Sequence, residues 1–129
     1  MCQGRNMTTR FLIIWLAMCG VSACWAQGDQ DLHQCFGSDD DVAACTRVIE
    51  AGGIESKILA HAYYMRGLHF QMESDLDRAI SDYSKSIELD PRYPSSYYMR
   101  GHALEASGDL ERAKADHSKA RELGAASPE

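Results

Sequence analysis

Residues 63–89 read YYMRGLHFQMESDLDRAISDYSKSIEL, and residues 97–123 read YYMRGHALEASGDLERAKADHSKAREL. The second stretch restates the first 34 residues later, with 14 of 27 positions identical. Two unrelated segments of average composition would share about two. Tyr63, Tyr64, Met65, Arg66 and Gly67 recur as a block, and so do Asp75, Leu76, Arg78, Ala79, Asp82, Ser84, Lys85, Glu88 and Leu89. A fixed period of this size marks a stacked repeat, in which one unit cannot bury its apolar face alone and needs its neighbours.

Each copy divides into two helices, predicted over 55–73 and 75–89 in the first and over 93–107 and 109–123 in the second. The joints at Ser74 and Gly108 are each followed by an aspartate able to cap the next helix, which makes each pair an antiparallel hairpin. Asp90-Pro91 stops the fourth predicted helix and Gly124 the sixth. Ile80, Tyr83 and Ile87 become Lys114, His117 and Arg121 in the second copy. That loss of apolar character fits a terminal repeat whose outer face meets water, and it suggests an array that closes there.

Tyr63, Gly67, Phe70, Ala79, Tyr83 and Pro91 carry the aromatic, Gly, aromatic, Ala, aromatic and Pro spacing of a tetratricopeptide repeat, and the chain resembles that family. Tyr97, Gly101, Leu104 and Ala113 repeat the pattern, while His117 and Ala125 stand where an aromatic and a proline are usual. The resemblance implies an all-α fold: a short right-handed α-solenoid of antiparallel helix pairs with full repeats at 60–93 and 94–127. It implies little about function.

Upstream, Arg5 and Arg10 precede an apolar run from Phe11 to Cys19 and small residues ending at Ala26, which reads as a signal peptide over 1–26. Its apolar core is too short to span a bilayer. Cleavage after Ala26 would release a chain starting at Gln27. Val21-Ser22-Ala23-Cys24 also resembles a lipobox, and lipidation of Cys24 would tether the product to a membrane. Both routes leave Cys35 and Cys45, an even pair in an exported chain and so most simply a disulfide. A metal pair lacks histidines at ligand spacing, since His33 stands alone.

Residues 27–53 are expected to form a degenerate first helical pair, because Ala44 to Glu50 resembles Asp82 to Glu88. Ser38-Asp39-Asp40-Asp41 starts its second helix, with Val42, Cys45, Val48 and Ile49 on one face and Gly52-Gly53 as the stop. The three aspartates lack the Gly and Glu that a calcium loop requires.

The part after Gln27 holds 11 basic and 19 acidic side chains, a net charge of −8. That excess argues against nucleic acid as a partner, because phosphate affinity comes from clustered Lys and Arg. No phosphate loop, nucleophile elbow or His-x-x-x-His pair is present, and His61, His69, His102 and His117 lie scattered over the helices. The pairs Asp75 with Asp77 and Asp109 with Glu111 open helices, where the dipole accounts for them. A non-catalytic protein with no cofactor, metal or small-molecule substrate is expected.

The family resemblance places the concave face on the first helix of each pair. Carried onto this chain, it holds His61, Tyr64, Leu68 and Met72, then Ser95, Tyr98, His102 and Glu105, at three- and four-residue spacing. Tyr and Met offer large, adaptable contact area for a peptide or protein. Packing of Tyr64, Leu68 and Met72 on a neighbouring helix is the alternative. A clamp for peptide carboxylates is excluded, because Tyr64, Leu68 and Ser95 replace the Lys and Asn it needs. Arg66 and Arg100 are expected in exposed ion pairs worth little. The expected function is an interaction module of the bacterial envelope, periplasmic or secreted unless lipidated at Cys24. The alternative is a structural subunit that self-associates or stacks on another repeat protein through the end near Val42 and Val48.

Overall fold

The computed structural model describes residues 28–37 and 41–124. The expected signal peptide at 1–26, with Cys24, and residues 38–40 and Ala125 fall outside them. The chain divides into units 1–30 and 31–129, and of the first only 28–30 are described, all helical. In the second unit, helical residues 31–36 form α1, followed by α2 (Val42–Ala51), α3 (Ser56–Met72), α4 (Leu76–Leu89), α5 (Pro94–Ser107) and α6 (Leu110–Glu122). From α2 onward each helix packs on the next, and α3 also touches α5. The result is the expected all-α solenoid of helix pairs, without strands among the described residues.

Local chemistry sets the boundaries. Asp41 accepts a hydrogen bond from Ala43 N–H at 2.8 Å and caps α2. Asp75 and Asp109 cap α4 and α6 by accepting from Arg78 and Arg112 N–H at 3.1 and 3.2 Å. Each capping carboxylate also holds the guanidinium of the same arginine. The backbone N–H, first for Asp75, and the guanidinium, first for Asp109, hold both aspartates below the usual carboxylate range. The hairpin corner before each cap needs a left-handed residue, supplied by Ser74 at φ 64° and Gly108 at φ 91°. Serine accepts there a conformation that glycine adopts without a Cβ penalty.

Two apolar clusters form the core. Cys35, Ala44, Cys45, Val48 and Ala62 make the first, with Leu32, Phe36, Ile49, Ile54 and Met65 against it. The sulfurs of Cys35 and Cys45 meet inside this cluster. Phe70, Ala79, Tyr83 and Ala103 make the second, flanked by Val42, Tyr64, Leu68, Leu76, Ile80 and Met99. The expectation of an open stacking end at Val42 and Val48 is therefore corrected. Val48 is 5 % exposed inside the first cluster and Val42 packs on the second.

Gly67 and Gly101 let the helices of each hairpin approach. A Cβ at Gly67 would lie 2.8 Å from Tyr83 Cε1, and one at Gly101 would lie 2.7 Å from His117 Cε1. Tyr83 thus fills its own hairpin as well as the joint to the next. It donates a hydrogen bond to Gln71 Oε1 at 2.8 Å, and burial raises its pKa.

A second correction concerns the arginines. Arg66 grips Asp82 with two hydrogen bonds of 2.7 and 2.9 Å, and Arg100 grips Asp116 with two of 2.7 and 2.8 Å. Asp82 and Asp116 are only 5 % and 6 % exposed, so these are buried forks and not loose surface pairs. The third nitrogen of each fork reaches back to the preceding pair: Arg66 donates to Thr46 Oγ1 at 3.3 Å, and Arg100 to Ser84 Oγ at 3.0 Å. Thr46 and Ser84 in turn donate to the carbonyls of Val42 and Ile80. One arginine per repeat therefore latches three helices, and the latch extends to the N-terminal pair through Thr46.

Candidate functional site

The residues expected on the concave face sit in two different surroundings. Around α3, His61 and Tyr64 are half-buried among aromatic rings. His61 lies 4.7 Å from Phe36 between ring centroids, and Tyr64 lies 5.2 Å from Tyr93 and 6.0 Å from Tyr83. Burial keeps the His61 imidazole neutral by lowering its pKa, and it pushes the Tyr93 hydroxyl up to about 12. His61 Nδ1 and the Tyr93 hydroxyl share a hydrogen bond of 2.8 Å, whose direction follows the imidazole tautomer. Leu68 packs against the second apolar cluster. Here the packing alternative accounts for much of the surface of His61, Tyr64 and Leu68. Met72, by contrast, is 75 % exposed.

Around α5 the face is more open and more polar. Ser95 is half-buried. Tyr98 meets His102 edge-on at 4.5 Å and His117 at 5.5 Å. A cavity of about 420 Å³ opens beside them, lined by Tyr98, Glu105, Leu110, Lys114, His117 and Arg121. The structure thus gathers Tyr98, His102 and Glu105 at one place and adds His117 from α6, which the sequence reading left among scattered histidines. His102 and His117 lie with ring centroids 4.9 Å apart. Glu105 stands between them, 3.4 Å from His102 Nδ1 and 3.2 Å from His117 Nε2. Among the described residues, His102, Glu105 and His117 are the grouping able to hold a metal ion, with their ligand atoms all within 4.8 Å of one another.

A sequence signal could have found this grouping. Tyr83 reaches Gln71 in the first hairpin, and His117 and Glu105 occupy the equivalent positions in the second. Given the Tyr83–Gln71 contact of the first hairpin, the repeat register places His117 beside Glu105.

No described helix is long and apolar enough to cross a membrane. A family model described as TPR repeat matches residues 73–108, which run from the end of α3 to the end of α5. No curated protein matches the chain at a significant level.

Proposed function

We propose, since the chain is a tetratricopeptide repeat protein, that it is a non-catalytic module of the bacterial envelope that holds a peptide or protein partner on the face formed by α3 and α5. Repeats of this kind generally mediate protein–protein interaction, and the partner, the face and the envelope location are our reading. The supporting observation is the composition of the open half of that face. Met72 of α3 is exposed, and Tyr98 and Glu105 of α5 border a cavity, lined otherwise by α6, that is large enough for a side chain. The signal-like segment 1–26 supports export, and the pair Cys35 and Cys45 supports an oxidising compartment. Tethering through Cys24 is the variant of this reading in which the lipobox is used.

Photo-crosslinking in the protein's own host tests it. A photoreactive residue at Met72 should give a discrete adduct, and one at Lys85, exposed on α4, should not. Tyr98→Ala should weaken the Met72 adduct about tenfold, as expected for loss of an aromatic anchor. Equal adducts from both positions, or a Tyr98→Ala variant that crosslinks like the parent, would refute the assignment.

A further inference from the structure

We propose that His102 Nδ1, His117 Nε2 and the Glu105 carboxylate form a three-ligand site for a divalent transition-metal ion of the zinc class. This goes beyond partner binding and does not depend on it.

Distance is the first support. Ligand atoms about 2.0–2.2 Å from a tetrahedral ion stand roughly 3.3–3.5 Å from one another. The Glu105 oxygens lie 3.4 Å from His102 Nδ1 and 3.2 Å from His117 Nε2. All three ligand atoms fall within 4.8 Å, so the two imidazoles need only a small side-chain adjustment to close on one ion. Two imidazoles and one carboxylate favour borderline ions such as Zn²⁺ or Co²⁺ over calcium or magnesium, which take oxygen ligands. Three protein ligands also leave a coordination position open.

The second support is how the site is built. His102 and Glu105 share one face of α5, and His117 comes from α6. The His117 ring lies against Gly101, where a Cβ would sit 2.7 Å from it, and is flanked by Tyr98. Its place is therefore fixed by packing before any ion arrives.

The third support is internal to the sequence. In the first repeat the same three positions hold Leu68, Gln71 and Tyr83. Tyr83 lies on Gly67 and bonds Gln71, so the scaffold is the same and the ligands are missing. The second repeat keeps the Tyr and Gly of that scaffold as Tyr98 and Gly101, and places a ligand at each of the three variable positions. Glu105 and His117 also line the 420 Å³ cavity, so an ion there is reachable from solvent. Lys114 and Arg121 line the same cavity, and both are exposed and hydrated.

The test titrates chelator-treated, full-length protein with Co²⁺ and follows visible absorption, then displaces the ion with Zn²⁺. One equivalent should bind with the ligand-field bands of a nitrogen and oxygen site. The thiolate-to-cobalt charge transfer that cysteines would produce should be absent. His117→Tyr installs the residue that packs on Gly67 in the first repeat, and Glu105→Gln changes a half-exposed side chain. Each should weaken binding by more than about 100-fold, above the 10- to 100-fold typical of outer-sphere changes. The proposal fails if the wild type binds no tighter than both variants, or if its spectrum is that of thiolate ligation. The His–Glu cluster is then a set of hydrogen-bonded side chains only.

Discussion

Replacing Asp82 with alanine should destabilise the protein by about 3 kcal/mol, the lower end of the cost of leaving a buried charge without its partner. The lower end applies because the Arg66 side chain keeps 18 % of its exposure, against 7 % for Asp82, and so retains some hydration. The hydrogen bonds from Arg66 to Asp82 hold the guanidinium firmly charged. Once the carboxylate is gone, that charge stays beside Phe70 and Tyr63, with Thr46 as a hydrogen-bond acceptor at 3.3 Å and Glu50 as a neighbouring acid. Asp116→Ala should cost no more than Asp82→Ala, because its latch lies in the last helix pair and Asp116, at 9 % side-chain exposure, is buried much like Asp82. Urea unfolding of the two variants measures the difference. The double change Arg66→Met with Asp82→Leu should recover most of the loss, since a buried pair can be exchanged for apolar residues at little cost. If Asp82→Ala unfolds within about 0.5 kcal/mol of the parent, as a surface substitution would, the latch contributes nothing.

Tyr83→Ala should cost about 4 kcal/mol, within the range for truncating a fully buried aromatic ring. The ring is 0 % exposed, lies on the backbone of Gly67, and packs with Phe70, Ala79 and Ala103. Ala103 belongs to α5, so the cavity would open both within the first hairpin and at its joint to the second. Tyr83→Phe removes only the hydroxyl that donates to Gln71 and should cost about 1 kcal/mol. Gln71 is half-exposed and can turn to water, which limits that loss. Denaturant midpoints for the pair separate ring packing from hydrogen bonding. Equal losses for alanine and phenylalanine would assign the stability to the hydroxyl and contradict the packing account.

Helix order and boundaries were legible because they rest on local chemistry. The aspartates that cap α4 and α6, the corners at Ser74 and Gly108, and the stop at Asp90-Pro91 each act on adjacent backbone. The buried forks were not legible from local pattern, because an aspartate facing water and one facing an arginine read alike. Yet Arg66 with Asp82 and Arg100 with Asp116 share a separation of 16 residues, and that recurrence was available in the repeat. Gly67 with Tyr83 and Gly101 with His117 keep the same spacing, which is how the hairpin brings α6 to the α5 face. The eight proposed groove residues follow from the family resemblance, which gives the helix, and from helical spacing, which gives the face. Spacing assigns a face, but it cannot tell that Tyr64 turns into an aromatic cluster while Met72 stays in water.

Hydrogen exchange of the protein, free and bound to the partner crosslinked at Met72, addresses the binding assignment most directly. Slowed exchange on α3 and α5, with α4 unchanged, is the predicted result. Protection confined to α6, or identical protection produced by concentrating the protein alone, would contradict a groove and point to end-to-end stacking.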